Sequence, residues 1–237
     1  MKQMFRLFAL TLAMVLLTTA AFAYPPGFLV YHGDREVNKI AITVDDCYDA
    51  NVLRMMHELC VEYDFPITWF VLGTQIRDED KELWEAIIAH GSEIGNHTWK
   101  HPYLTRIKIH NARNQILLTQ ERLDELLGYH YPLRLLRPPF GYYQENGVNL
   151  LPMFYEYGVE KTVMWDVSYT DPQVAFDATQ NGSILLFHTN YEDLNCLKEL
   201  IPMLLEAEYE LVTVSELLGM EPLEIGGEKY VFPYRYA

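Results

Sequence analysis

KIAITVDD, residues 39–46, decides how this chain is to be read. Its first six residues, rich in β-branched side chains, read as a strand, and two acids stand where the strand ends. Runs of the same kind recur at ITWFVLG (67–73), EIGNH (93–97), LRLLRPP (133–139), TVMWDV (162–167), SILLFH (183–188) and ELVTV (210–214). Between them lie ANVLRMMHELCVEY (50–63), DEDKELWEAIIAHG (78–91), HNARNQILLTQERLDELLG (110–128), NGVNLLPMFYEYG (146–158) and DLNCLKELIPMLLEAE (193–208), each with apolar residues at helical spacing. Gly91, Gly128 and Gly158 each follow a helical pattern and precede a strand, where a C-terminal cap belongs. Strands alternating with helices imply parallel pairing through crossover units. The pattern predicts an α/β fold: a single-domain, distorted (β/α) barrel of about seven parallel strands over residues 39–220. No glycine-rich phosphate-cradling turn follows the first strand, which argues against a dinucleotide-binding sheet.

The flanks carry different information. Residues 1–23 place Lys2 and Arg6 ahead of an apolar run from Leu7 to Leu17 and end on Ala21-Phe22-Ala23, the pattern of a secretory signal peptide cut after Ala23. The run is short for a membrane span, and no cationic cluster follows it, so we expect export to a periplasm, cell wall or medium with no stable membrane insertion. Residues 24–38 form an N-terminal extension, and 221–237 (EPLEIGGEKYVFPYRYA) form an aromatic C-terminal tail expected to pack on the body. The whole chain has 237 residues, with 18 Lys and Arg against 33 Asp and Glu, a formal charge of −15. Losing residues 1–23 would leave 214 residues and remove two cations, taking the charge to −17. Nucleic acid and anionic membrane both require basic patches that such a chain lacks, so a neutral or cationic substrate fits better. Three cysteines, Cys47, Cys60 and Cys196, allow at most one bridge.

In a parallel barrel, reactive groups gather at the C-terminal ends of the strands. Asp45 and Asp46 end the first strand, His97 and the turn to His101 the third, and Arg137 to Gly141 the fourth. Trp165 and Asp166, with Asp171 beyond, end the fifth, and His188 ends the sixth. Alone, each has a plainer reading. The two aspartates could cap the next helix, Arg137 could be an ion-pair partner, and His188 a hydrogen-bonded core residue. Five strand ends offering such groups on one rim favour a shared site. Two imidazoles and a carboxylate suit one borderline divalent ion: zinc by default, with cobalt, manganese or nickel as alternatives. His97 and His101 face the same way if their turn is helical, with Asp46 as third ligand. Asp45 then points elsewhere, because successive residues of an extended chain face opposite sides, and is free to act as a base. Arg137 would keep that base ionised, His188 could protonate a leaving group if Asp171 or Asp166 supports it, and the N–H of Phe140 could hold a developing oxyanion. The chemistry described is metal-assisted acyl hydrolysis.

With these residues in view, the chain resembles the polysaccharide deacetylases of carbohydrate esterase family four, the NodB-like domain, from residue 39 to about 218. TVDDC (43–47) is similar to the family's first motif, which implies Asp45 as catalytic base and Asp46 as metal ligand. HTWKH (97–101) resembles the second and implies His97 and His101 as the other ligands. RPPFG (137–141) resembles the third, with Arg137 supporting the base and Phe140 forming a groove wall and lending its N–H. MWDVSYTDP (164–172) is similar to the fourth, with Asp171 tuning the catalytic histidine and Trp99 or Trp165 available as a wall. LFH (186–188) resembles the fifth, with Leu186 receiving the acetyl methyl and His188 as general acid. Two positions depart from the pattern: Cys47 stands where the family has glycine, and Pro172 where it has tryptophan. The resemblance implies hydrolysis of N-acetyl groups on an amino-sugar polymer such as peptidoglycan, chitin or poly-N-acetylglucosamine. O-acetyl esterase action on xylan and non-catalytic glycan binding stand as the alternatives.

Overall fold

The computed structural model describes residues 24–226; the predicted signal peptide and the tail beyond residue 226 lie outside the described residues. All seven predicted strands are present: β2 (Lys39–Asp46), β3 (Thr68–Val71), β4 (Glu93–Asn96), β5 (Leu135–Leu136), β8 (Lys161–Val163), β9 (Ile184–His188) and β10 (Glu210–Leu211). An eighth, β1 (Leu29–Val30), pairs in parallel with β8 and falls in the stretch read from sequence as an extension. Every pairing in this sheet is parallel, in the order β1-β8-β5-β4-β3-β2, with β9 along the far edge of β2 and the short β10 paired with Lys39 and Ile40 at the start of β2. The barrel closes where the chain beyond β8 reaches β9: Val167 bridges Leu185, and Leu186 N donates to Val167 O at 2.9 Å.

Helices α1 (Ala50–Tyr63), α2 (Lys81–Ala89), α3 (Ile109–Leu127), α5 (Pro172–Ala178) and α6 (Tyr191–Glu206) cover the outside, with shorter helices α4 (Leu151–Glu156) and α7 (Val214–Leu217). Asp49 caps α1, its side chain accepting from Asn51 N and Val52 N, so Asp45 and Asp46 are not needed for that purpose. Gly128 ends α3 at φ +82, a conformation that only glycine adopts at no steric cost. The predicted helix over 146–158 is shorter than expected. Asn146 and Gly147, both at positive φ, turn a two-stranded hairpin instead, β6 (Gln144–Glu145) with β7 (Val148–Asn149), and the helix starts only at Leu151.

Side chains of each strand divide by period two. Ile40, Ile42, Val44, Trp69 and Val71 point outward into the main core beneath α1, α2 and α6, while Ala41, Phe70, Leu135, Val163 and Ile184 fill the barrel interior. Val212, Val214 and Leu217 close the floor, leaving the opposite rim open. Residues 221–226 dock on the body, Gly226 N donating to His130 O at 3.0 Å and Arg134 Nη1 to Glu221 O at 2.6 Å.

Candidate metal centre and active site

Arg137 is fully buried, and all three of its guanidinium nitrogens donate hydrogen bonds. Nη1 donates to Asp45 Oδ1 at 2.7 Å and to Thr43 Oγ1 at 2.8 Å, Nη2 to Met164 O at 3.0 Å and Nε to Val163 O at 3.2 Å, while its Cζ lies 4.2 Å from the centre of the Phe70 ring. Asp45 is buried beside it, so its carboxylate is fixed in place by a charged, immobile partner. Burial lowers the pKa of Arg137 and Asp45 opposes the shift.

Asp46 does not continue the extended strand. Its φ is +70 and that of Cys47 is +62, so the chain turns sharply and the expected alternation fails. Both carboxylates reach the same imidazole as a result: His97 Nε2 is 3.6 Å from Asp45 Oδ2 and 3.5 Å from Asp46 Oδ1. His101 Nε2 lies 3.6 Å from the same Asp46 oxygen. The loop from His97 to His101 is not a helical turn either, since Thr98 and His101 sit at φ +74 and +59. Thr98 braces it, its hydroxyl accepting from His101 N at 3.1 Å while its own N–H donates to Asn96 Oδ1 at 2.8 Å. Trp99 packs so tightly over Gly73 that a Cβ there would stand 2.2 Å from the indole ring.

The residues present fit a cation. His97 Nδ1 is 2.7 Å from Arg137 O, a group that only accepts, so Nδ1 carries the hydrogen and Nε2 presents a lone pair. Burial lowers the pKa of His97 and of His101, for His101 with help from the neighbouring His97, which favours neutral imidazoles. Asp46 Oδ1 is buried and has no hydrogen-bond partner. The Nε2 atoms of both imidazoles thus face an unpartnered carboxylate oxygen, with a ligand atom from each of the three residues within 4.8 Å of the others, an arrangement that a divalent ion satisfies.

The remaining residues ring this point. The β2–β9 register pairs Asp45 with His188 and Thr43 with Leu186, so Leu186 lies two residues below His188 on the same face. Phe140, at φ +59 and 47% exposed, sets its ring edge-to-face with His101 at 4.4 Å. Trp165 lies partly buried with Arg137 Cζ 5.6 Å from its ring. The carboxylate beside His188 is that of Asp193, which the sequence reading missed: Oδ2 is 3.4 Å from His188 Nδ1 and accepts from His188 N at 2.6 Å. Asp193, ahead of the Asp45 and Asp46 carboxylates and against burial, raises the pKa of His188. Asp171 instead caps α5, accepting from Val174 N at 2.9 Å, and Asp166 is held by Arg35 at 2.7 Å, Ser183 and Ile184 N. Both candidate partners are thus engaged elsewhere.

The family model for polysaccharide deacetylase matches residues 32–162, more than half of the chain. The chain belongs to the polysaccharide deacetylase family. It is 30% identical over 188 residues to the peptidoglycan-N-acetylmuramic acid deacetylase PdaC of Bacillus subtilis, covering 75% of this chain and 38% of that protein. It is 28% identical to a peptidoglycan-N-acetylglucosamine deacetylase of Bacillus cereus, covering 82% of this chain and 94% of that one. This chain thus spans well under half of PdaC and nearly all of the second relative. A crystal structure of a peptidoglycan N-acetylglucosamine deacetylase superposes with a TM-score of 0.72 at 25% identity, over 82% of this chain and 94% of that one. A family-four pseudoenzyme of Bacillus anthracis shares the fold, with a TM-score of 0.71 at 21% identity over 84% and 72% of the two chains.

Cys47, read from the resemblance as standing in a glycine's place, has the left-handed backbone that glycine favours, at φ +62. It is buried at 2% exposure, and burial holds its thiol well above the ordinary range. Cys47, Cys60 and Cys196 are all buried free thiols, so no pair is bridged.

Proposed function

We propose that this chain is a metal-dependent hydrolase that removes the N-acetyl group from amino sugars of a peptidoglycan-type polymer, releasing acetate. The observation that carries the reading is the unpartnered Asp46 oxygen facing the Nε2 atoms of two imidazoles beside a buried Asp45–Arg137 pair. Named relatives that act on peptidoglycan supply the substrate class.

Asp46, His97 and His101 would hold a divalent ion, zinc by their donor set, which would supply Lewis acidity for activating a water and polarising the acetyl carbonyl. Asp45, pinned by Arg137, takes the proton of the attacking water. His188, whose pKa Asp193 raises, delivers a proton to the departing sugar nitrogen. The N–H of Phe140 holds the carbonyl oxygen as charge develops. Leu186 lines the space for the acetyl methyl, and Trp165 and Phe140 wall the groove. Residues 1–23 direct export, which puts the enzyme where such polymers lie. Among the described residues, no helix is long and apolar enough to cross a membrane.

Purified protein incubated with N-acetylglucosamine oligomers should release acetate, stop with a chelator and recover with zinc. Absence of acetate from every N-acetyl and O-acetyl sugar, with metal supplied, would overturn the reading; preference for acetylated xylan would move it to an esterase.

A further inference from the structure

Beyond the ion ligands, one set of side chains is built with unusual continuity, most of it from residues with no chemical role above. It begins at His101 and runs outward through rings and charges to the hairpin. The His101 ring meets Phe140 edge-to-face at 4.4 Å, and Phe140 stacks on Tyr103 with centroids 4.0 Å apart and planes 12° from parallel. Arg106 Cζ stands 4.3 Å from the centre of the Tyr103 ring. A ring has two faces and Phe140 occupies one, so the guanidinium covers the other. Arg106 is in turn gripped by Glu145 in a two-pronged ion pair, Nε to Oε2 at 2.9 Å and Nη2 to Oε1 at 2.7 Å, while Thr105 Oγ1 donates to Oε2 at 2.8 Å. Arg106 and Thr105 drive the Glu145 carboxyl down to about 2, so the clamp is charged at any working pH. Tyr142 leans on the same column, 5.7 Å from Tyr103.

The column has no role in holding the core. Phe140 and Tyr142 are 47% and 41% exposed, and the column's members lie outside the sheet, on the loops after β4 and β5 and on the hairpin. What it does is fix two exposed ring faces beside the ion ligands. Phe140 needs such a hold, because its backbone sits in the left-handed region at φ +59. Exposed, immobilised aromatic faces beside an acetyl-sugar site suit the apolar face of a pyranose ring.

Resting on the deacetylase reading, we propose that Tyr103 is a positioning residue that, clamped by Arg106 and Glu145, holds Phe140 and Tyr142 as an aromatic subsite. The ring it receives is the sugar next to the one losing its acetyl group. Glu145 is then a specificity determinant acting from the hairpin, with no contact to the reacting atoms.

The test uses the full chain carrying Tyr103→Leu, Tyr103→Phe or Glu145→Gln, with the N-acetylglucosamine tetramer as probe. Steady-state kinetics are paired with calorimetric tetramer binding and zinc titration. Tyr103→Leu should raise KM and weaken tetramer binding about five- to tenfold, with kcat within about twofold and zinc affinity unchanged. Tyr103→Phe should restore wild-type values, and Glu145→Gln should fall between. Unchanged KM and binding in a folded Tyr103→Leu protein would overturn the subsite, as would a joint loss of kcat and zinc affinity or a Tyr103→Phe protein as impaired as Tyr103→Leu. A wild type that binds the tetramer without hydrolysing it would sink the deacetylase reading and leave the subsite standing. One that neither binds nor hydrolyses it sinks both.

Discussion

Strand β4 carries a buried acid, Glu93, at its start and leads into His97, a proposed metal ligand, just past its end, and the carboxylates at the two ends differ in one respect. At the floor, Glu93 is satisfied throughout. Its Oε1 accepts from the Ser215 hydroxyl, Oε2 accepts from Ser215 N at 3.1 Å and Thr68 Oγ1 at 3.4 Å, and Arg134 Nε lies 3.7 Å away. At the rim, four residues along, His97 faces Asp46 Oδ1, which has no hydrogen-bond partner. Both ends bury carboxylates, cations and hydroxyls. The difference lies in the carboxylate: both Glu93 oxygens accept hydrogen bonds, although Arg134 Nε beside them has no hydrogen-bond partner, whereas Asp46 Oδ1 accepts none.

That contrast breaks if the two ends respond alike to substitution. The largest effect should be at the rim: Asp45→Asn should lower kcat about 10²- to 10⁴-fold in an acetate-release assay while zinc remains bound. Next, Glu93→Gln should cost about 3 kcal/mol in denaturant unfolding, because Arg134 loses its buried counter-ion, yet leave kcat of the folded protein unchanged. Metal-free Asp46→Ala should unfold within about 1 kcal/mol of the metal-free wild type, since no hydrogen bond to Oδ1 is lost. A subtler change concerns His188, raised first by Asp193. A general acid acts while protonated, so kcat/KM should fall as pH rises through its elevated pKa. Asp193→Asn removes the charge that raises it, and the alkaline limb of the pH profile should move to lower pH. A limb that stays in place would mean that His188 is not the acid.

Much of the barrel was legible because its strands and helices obey two different periods. Seven strands and their order of alternation came through, and Gly128 marks the end of α3 as read. Two local features did not. Leu29–Val30 is too short to show a period, and the hairpin at Asn146–Gly147 was absorbed into an apolar pattern despite carrying the dipeptide that favours such turns. At the rim, residue types and strand ends were enough to gather Asp46, His97 and His101, but not the geometry. Left-handed backbone at Asp46, Thr98 and His101 leaves no mark in periodicity, and it brings Asp45 to the same imidazole as Asp46. Asp193 was missed for a related reason. It sits in the first turn of α6 and reads as an ordinary helix-start acid, whereas the pairing of β9 with β2 turns that helix start toward the site.

The central claim is that one cation binds where Asp46, His97 and His101 meet. Titrating zinc into chelator-stripped wild-type and Asp46→Ala protein by calorimetry tests it most directly. One ion per wild-type chain and none on the variant is the predicted result; a wild type that takes up no ion, or a variant that binds it as tightly, would contradict the account.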